Sequence, residues 1–139
     1  MRAGAGSAAA AALILAAAGC GGTMSPEEVV RGWSRAVNEG DNDRAAEYFA
    51  AGAAIVVGDQ SVKLAGHADP RRFNASLPCA AEIAEIRTDG DRVTATFNLR
   101  QPYPFRVCSA RPDPREVAVV TVRNGKIVIW ELLGPPSEG

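Results

Sequence analysis

Asn124-Gly125 separates residues 115–123 from 126–133, and this pair constrains the fold more than any other feature of the chain. An Asn-Gly dipeptide accepts the positive φ angles that a two-residue hairpin turn demands, so the two flanking apolar runs are expected to pair as neighbouring antiparallel strands. A second hairpin signal, Asp89-Gly90-Asp91, joins residues 82–88 to 92–101. In its second arm Val93, Ala95, Phe97 and Leu99 alternate with Thr94, Thr96, Asn98 and Arg100, the pattern of a strand with one buried face. Between the hairpins, residues 101–114 hold Pro102, Pro104, Pro112 and Pro114. Proline cannot donate to a ladder, so this stretch is expected to be loop or irregular edge.

Upstream of the strands the pattern is helical. Ser25 is placed to cap, Pro26 suits the first helical position, and Glu28 completes an S-x-x-E capping box. Val29, Val30, Trp33, Ala36 and Val37 then share one helical face, and Gly40 supplies the stop. Asp41 or Asn42 caps a second, short helix carrying Ala45, Ala46, Tyr48 and Phe49 and ending near Gly52. Short strands are expected at 54–57 and 62–65 around a Gly58-Asp59 turn, and Asp69-Pro70 opens a third helical turn through Phe73 and Leu77. Two to three N-terminal helices followed by a long antiparallel sheet is an α+β plan.

At this point the stretch SPEEVVRGWSRAVNEGDNDRAAEYFAAGAAIV, with the late NGKIVIWELL, resembles the nuclear transport factor 2-like superfamily and its polyketide-cyclase-like (SnoaL-like) members. The resemblance runs over residues 25–133. It implies a cone: a strongly curved antiparallel sheet packed on two to three N-terminal helices around an internal pocket, in one domain at 25–134 with a C-terminal tail at 135–139. It does not imply one activity. The superfamily holds isomerases, cyclases, dehydratases, transport factors and domains with no chemistry.

The first 19 residues read as an export signal, with Arg2 as a positive start and an apolar core from Ala8 to Ala18. That core is too short to span a bilayer as a helix, which takes about 20 residues. Ala17, Ala18 and Gly19 directly before Cys20 resemble the bacterial lipoprotein signal motif, in which the cysteine is diacylated and becomes the new N-terminus. Ala17 stands where that motif prefers Leu, and a plainly cleaved or retained signal is the alternative. On this reading Cys20 is the lipidation site, residues 20–24 are a short tether, and the domain rides on the extracytoplasmic face of the cell membrane. Three cysteines cannot all pair, and assigning Cys20 to the lipid leaves Cys79 and Cys108 as a structural disulfide in an oxidising compartment.

The charge balance of 15 basic and 16 acidic side chains, with no basic run, argues against nucleic acid as partner. His67 is the single histidine and has no carboxylate pair at ligand spacing, so no metal site is expected and no cofactor fingerprint is found. The sequon Asn74-Ala75-Ser76 is read as accidental behind a bacterial signal. Catalytic members of the superfamily combine an acid or base with a donor for a developing oxyanion. Tyr48, Asp59 and His67 are the residues available here, but each also has an ordinary role, as core aromatic, turn residue and loop or cap residue respectively. Possible pocket lining is therefore assigned to Trp33, Tyr48, Asp59, His67, Phe97 and Trp130, with no catalytic residue named.

The last two strands are apolar on both faces, which calls for cover on both and suggests a homodimer through the convex face. The expectation is a membrane-tethered, non-enzymatic domain that binds a small apolar ligand or a partner protein. The alternatives are a small isomerase, cyclase or dehydratase, and a purely structural dimerising domain.

Overall fold

The computed structural model describes residues 22–100, 108 and 114–137. The expected α1 forms at Pro26–Asn38, because Ser25 and Glu28 satisfy each other's backbone N–H groups at its start. Its apolar stripe is buried at Val29, Val30, Trp33 and Ala36. Helix α2 spans Asn42–Glu47, capped by the Asp41 side chain, which accepts from Arg44 N–H. Strands β1 (Phe49–Val57) and β2 (Gln60–Lys63) precede α3 (Ala68–Ser76). Strands β3 (Ala80–Asp89), β4 (Arg92–Arg100), β5 (Arg115–Arg123) and β6 (Lys126–Gly134) complete the chain. Both hairpin turns form where the dipeptides place them, and Asn124 takes the positive φ of 51° that its turn requires.

The six strands form one open, curved sheet in the order β2-β1-β6-β5-β4-β3. The α+β plan stands, with one pairing that the purely antiparallel expectation lacked: β1 runs parallel to β6. A parallel pair needs a long crossover. Here everything from β2 to β5 supplies it, since β1 turns back on β2 with one edge and meets the final strand with the other.

Helix α2 also ends sooner than expected. Phe49 is already strand, paired with Ile127, and Tyr48 C=O accepts the Ile127 N–H at 2.7 Å. The chain enters the sheet there because β6 offers an unpaired edge. Gly52, read as a helix stop, instead lies inside β1 at φ 74°, between the register points Phe49 and Ala54 where the β1–β6 pairing shifts.

Further register shifts fall in β3 between Ile83 and Glu85 and along β5–β6 between Thr121 and Val122. Such irregularities add local bend and twist. The second one lets Ile127 and Trp130 both reach the core, although strict alternation would put them on opposite faces. Helices cover the concave side, and the core cluster joins Val29, Val30 and Trp33 of α1 to Val93, Phe97, Val120, Ile127 and Trp130 of the sheet. On the opposite face Val119 is itself buried beside Thr121, while Val117 and Ile129 are half-buried. Leu133 is the large apolar residue that stays open near that end.

Two polar contacts fix the open end of the cone. Asn38, at the end of α1, accepts from Ala81 N–H at 2.9 Å and donates to Ala81 C=O at 2.8 Å. One amide thus satisfies both backbone groups of a residue at the start of the edge strand β3. One residue before β3, Cys79 is bridged to Cys108 with the Cα atoms 4.8 Å apart, within the range that disulfide geometry allows.

Candidate functional site

A cavity of about 190 Å³ lies between the sheet and the helices. Its walls come from Trp33 of α1, Phe97 and Leu99 of β4, Glu116 and Ala118 of β5, Trp130 and Leu132 of β6, and the α3–β3 connection at Leu77, Pro78 and Cys79. Alternation explains the sheet side. Phe97, Leu99, Ala118, Trp130 and Leu132 all fall on the inward face of their strands, as paired by Phe97 with Glu116, Ala118 with Leu132 and Val120 with Trp130.

The aromatic residues form one linked edge-to-face group. Trp33 stands 6.1 Å from Trp130 and 6.4 Å from Phe97 and from Phe49, while Phe73 lies 5.2 Å from Trp130. Such arrangements match the positive ring edge of one residue to the negative face of the next and hold side chains in fixed rotamers. The Trp33 indole N–H donates to Asn74 Oδ1 at 2.9 Å. The Trp130 indole N–H is buried and has no hydrogen-bond partner among the described residues, and neither has Asn74 Nδ2.

Of the six residues that the sequence assigns to a pocket, the structure brings Trp33, Phe97 and Trp130 together and leaves Tyr48, Asp59 and His67 outside this cavity. Tyr48 closes α2, and its ring packs against α1 at Gly32, beside a separate surface hollow with Met24, Arg44 and Lys126. Asp59 sits exposed in the β1–β2 turn, whose glycine Gly58 has φ 61°. His67 occupies the N-cap position of α3 on the surface, with Nε2 3.9 Å from Asp43 Oδ1. Arg71 Nε holds the same carboxylate at 2.9 Å. The three residues have the ordinary roles described above, and no shared acid–base pocket is built from them. Cys20 lies outside the described residues.

Glu116 is the functional candidate that the sequence reading passed over. It is buried at 7% exposure and is the one ionisable residue among the described lining residues of the cavity. A signal existed: Glu116, Ala118, Val120 and Val122 share one face of a strand by simple alternation. Continuing that stripe by two residues places a carboxylate at its end. Asn74 was visible only as a sequon, yet at 2% exposure its amide is bonded into the core and is closed to modification in the folded state.

Two carboxylates away from the cavity have pKa values held below the ordinary range. Glu28 is lowered by accepting the Ser25 backbone N–H and by its further hydrogen bond with the Ser25 side chain. Asp69 is lowered first by the Ala65 backbone N–H and then by Arg72. Both serve helix starts and neither faces the cavity. Among the described residues no cluster of three histidine, cysteine or carboxylate side chains is set to hold a metal ion. No helix among them is long and apolar enough to cross a membrane.

A curved, open sheet cupping three helices, with a cavity between them, defines the nuclear transport factor 2-like class of fold. The family model of the SnoaL-like domain matches residues 30–130, so the chain belongs to the SnoaL-like domain family. Solved structures agree on the fold. A nuclear transport factor 2-like protein of unknown function from Cytophaga hutchinsonii matches with a TM-score of 0.64 at 9% identity, over 84% of this chain and 95% of that one. A candidate ketosteroid isomerase from Kribbella flavida matches with a TM-score of 0.62 at 17% identity, over 82% and 80% of the two chains. A hypothetical protein of ketosteroid isomerase-like fold from Catenulispora acidiphila, in complex with trimethylamine, matches with a TM-score of 0.57 at 19% identity, over 82% and 89%. No curated protein matches the chain.

Proposed function

We propose that this protein is a binding domain for a small apolar ligand, held at the outer face of the cell membrane by a lipid on Cys20. The observation that carries the ligand reading is the 190 Å³ cavity, walled by Trp33, Phe97, Trp130, Leu99, Ala118 and Leu132, with Glu116 the one carboxylate among its described lining residues. Apolar walls with few polar groups are how small-molecule sites combine affinity with orientation. The Catenulispora acidiphila protein of similar fold holds trimethylamine, a precedent for a small ligand on such a scaffold.

The ligand reading is tested by native mass spectrometry of the purified full chain, with Ala118→Leu as the control. Ala118 is fully buried in the cavity wall, so a larger side chain there occupies the space a ligand would use. A bound mass that disappears in Ala118→Leu, with the folded charge-state distribution retained, is the expected result. Failure to load any apolar small molecule would refute the reading. The tether is tested by Cys20→Ser, which is expected to move the protein from the membrane fraction to the soluble or unprocessed fraction. Unchanged detergent partitioning would refute it.

A second reading, a small isomerase, cyclase or dehydratase, is favoured by one observation: Glu116 presents a carboxylate to an apolar cavity, where a general base would stand. Turnover of a ketone-isomerisation or cyclisation substrate that is lost in Glu116→Gln would establish it in place of the binding role.

A further inference from the structure

We infer that the cavity selects a neutral, single-ring aromatic ligand carrying one hydrogen-bond acceptor, and that the Trp130 indole N–H meets that acceptor. This deepens the binding role proposed above and rests on it. Three observations carry the inference. The first is size. A cavity of about 150 Å³ accepts benzene. The 190 Å³ here therefore suits one ring with a short substituent.

The second is an uncompensated donor. Trp130 is 6% exposed, lines the cavity, and its Nε1–H has no hydrogen-bond partner among the described residues. Buried indole N–H groups normally find an acceptor, and leaving one unpaired is unfavourable. Its neighbour provides the contrast. Trp33, 6.1 Å away, has its own N–H satisfied by Asn74 at 2.9 Å. Of the two indoles in the wall, one is structurally complete and the other retains a donor for something else.

The third observation is charge. The described lining residues include no lysine, arginine or histidine, so a carboxylate ligand would be desolvated there without a counter-charge among them. A neutral carbonyl or ether oxygen accepts from Trp130 without that cost. The edge-to-face aromatic walls, Trp33, Phe97 and Trp130, suit a flat ring in the remaining space.

The experiment uses three single-ring probes of similar size: acetophenone, α-methylstyrene, which replaces the carbonyl oxygen by CH₂, and benzoate. Dissociation constants are measured for the full chain and for Trp130→Phe. Removing one hydrogen bond to a buried donor is expected to weaken acetophenone about tenfold more than α-methylstyrene in the variant. In the wild-type ¹H–¹⁵N spectrum acetophenone, but not α-methylstyrene, should shift the Trp130 indole N–H, with the Trp33 indole signal as internal control. This measurement decides the matter even if Trp130→Phe does not fold. Equal losses for both probes, or an unmoved Trp130 signal with acetophenone bound, would overturn the inference and leave the apolar-ligand reading standing. Benzoate binding as tightly as acetophenone would overturn the selection for neutral ligands. If none of the three binds, the inference falls, and the native mass spectrometry of wild type and Ala118→Leu decides the ligand reading separately.

Discussion

Trp33 donates its indole N–H to Asn74 Oδ1 at 2.9 Å, a buried bond that ties the middle of α1 to the last turn of α3 across 41 residues of sequence. It fixes the plane of the aromatic ring at the centre of the core, from which the cavity wall is built outward to Phe97 and Trp130. Replacing Asn74 by leucine removes the acceptor and leaves a buried N–H unpaired, which costs about 1–3 kcal/mol. The urea midpoint of Asn74→Leu is expected to fall with its slope unchanged. A wild-type midpoint would mean that the bond contributes nothing.

Gly32 sits inside α1, where glycine is normally about 1 kcal/mol worse than alanine. The reason for it is steric. A Cβ at this position would lie 2.7 Å from Tyr48 Cζ and 2.8 Å from Cε1, closer than side chains pack. Gly32→Ala should therefore destabilise the protein by about 1–3 kcal/mol, the usual cost of overpacking. In a Tyr48→Ala background the clash is gone, and the same substitution should stabilise through helix propensity. A double-mutant cycle by chemical denaturation checks the change of sign.

The capping box makes stability depend on pH. Glu28 has its pKa lowered, first by the backbone N–H of Ser25 and then by the Ser25 side chain. A carboxyl group whose folded pKa is depressed contributes stability that is present above its unfolded value, near about 4.3, and lost as pH falls through the folded value. Ser25→Ala removes the side-chain part, so the Glu28 titration should move up toward the ordinary glutamate range in an NMR pH series. The stability gap between wild type and variant is expected to be largest above about pH 5 and to narrow in more acidic solution. A gap that widens on acidification would contradict the assignment.

The Cys79–Cys108 bridge closes a separation of 29 residues. The chain-entropy estimate for such a loop is about 3–4 kcal/mol. The Cys79→Ser/Cys108→Ser double variant should lose about that much stability against guanidinium. Because Cys79 also lines the cavity, ligand affinity should fall together with stability. Peptide mapping without reductant checks that the bond forms.

The local events are legible along the chain: the α1 start, the Asp89-Gly90 and Asn124-Gly125 turns, and the apolar face of β4. Each of these is decided by residues within a few positions of one another, through backbone conformation and side-chain-to-backbone hydrogen bonds. Residue pattern also indicates Trp33, Phe97 and Trp130 as inward-facing and Cys79 with Cys108 as a pair. Long-range contacts set the rest: Phe49 leaves the helical pattern to pair with Ile127, β1 lies parallel to β6, and Tyr48 turns to α1 at Gly32 and away from the cavity. The same holds for Ile127, which a shifted register turns inward, and for Asn74, whose place in the core depends on an indole 41 residues away. These outcomes depend on which distant strand edge or side chain is available. Propensity and periodicity carry no information about partners far away in the chain, and a one-residue register shift reverses which face a side chain occupies.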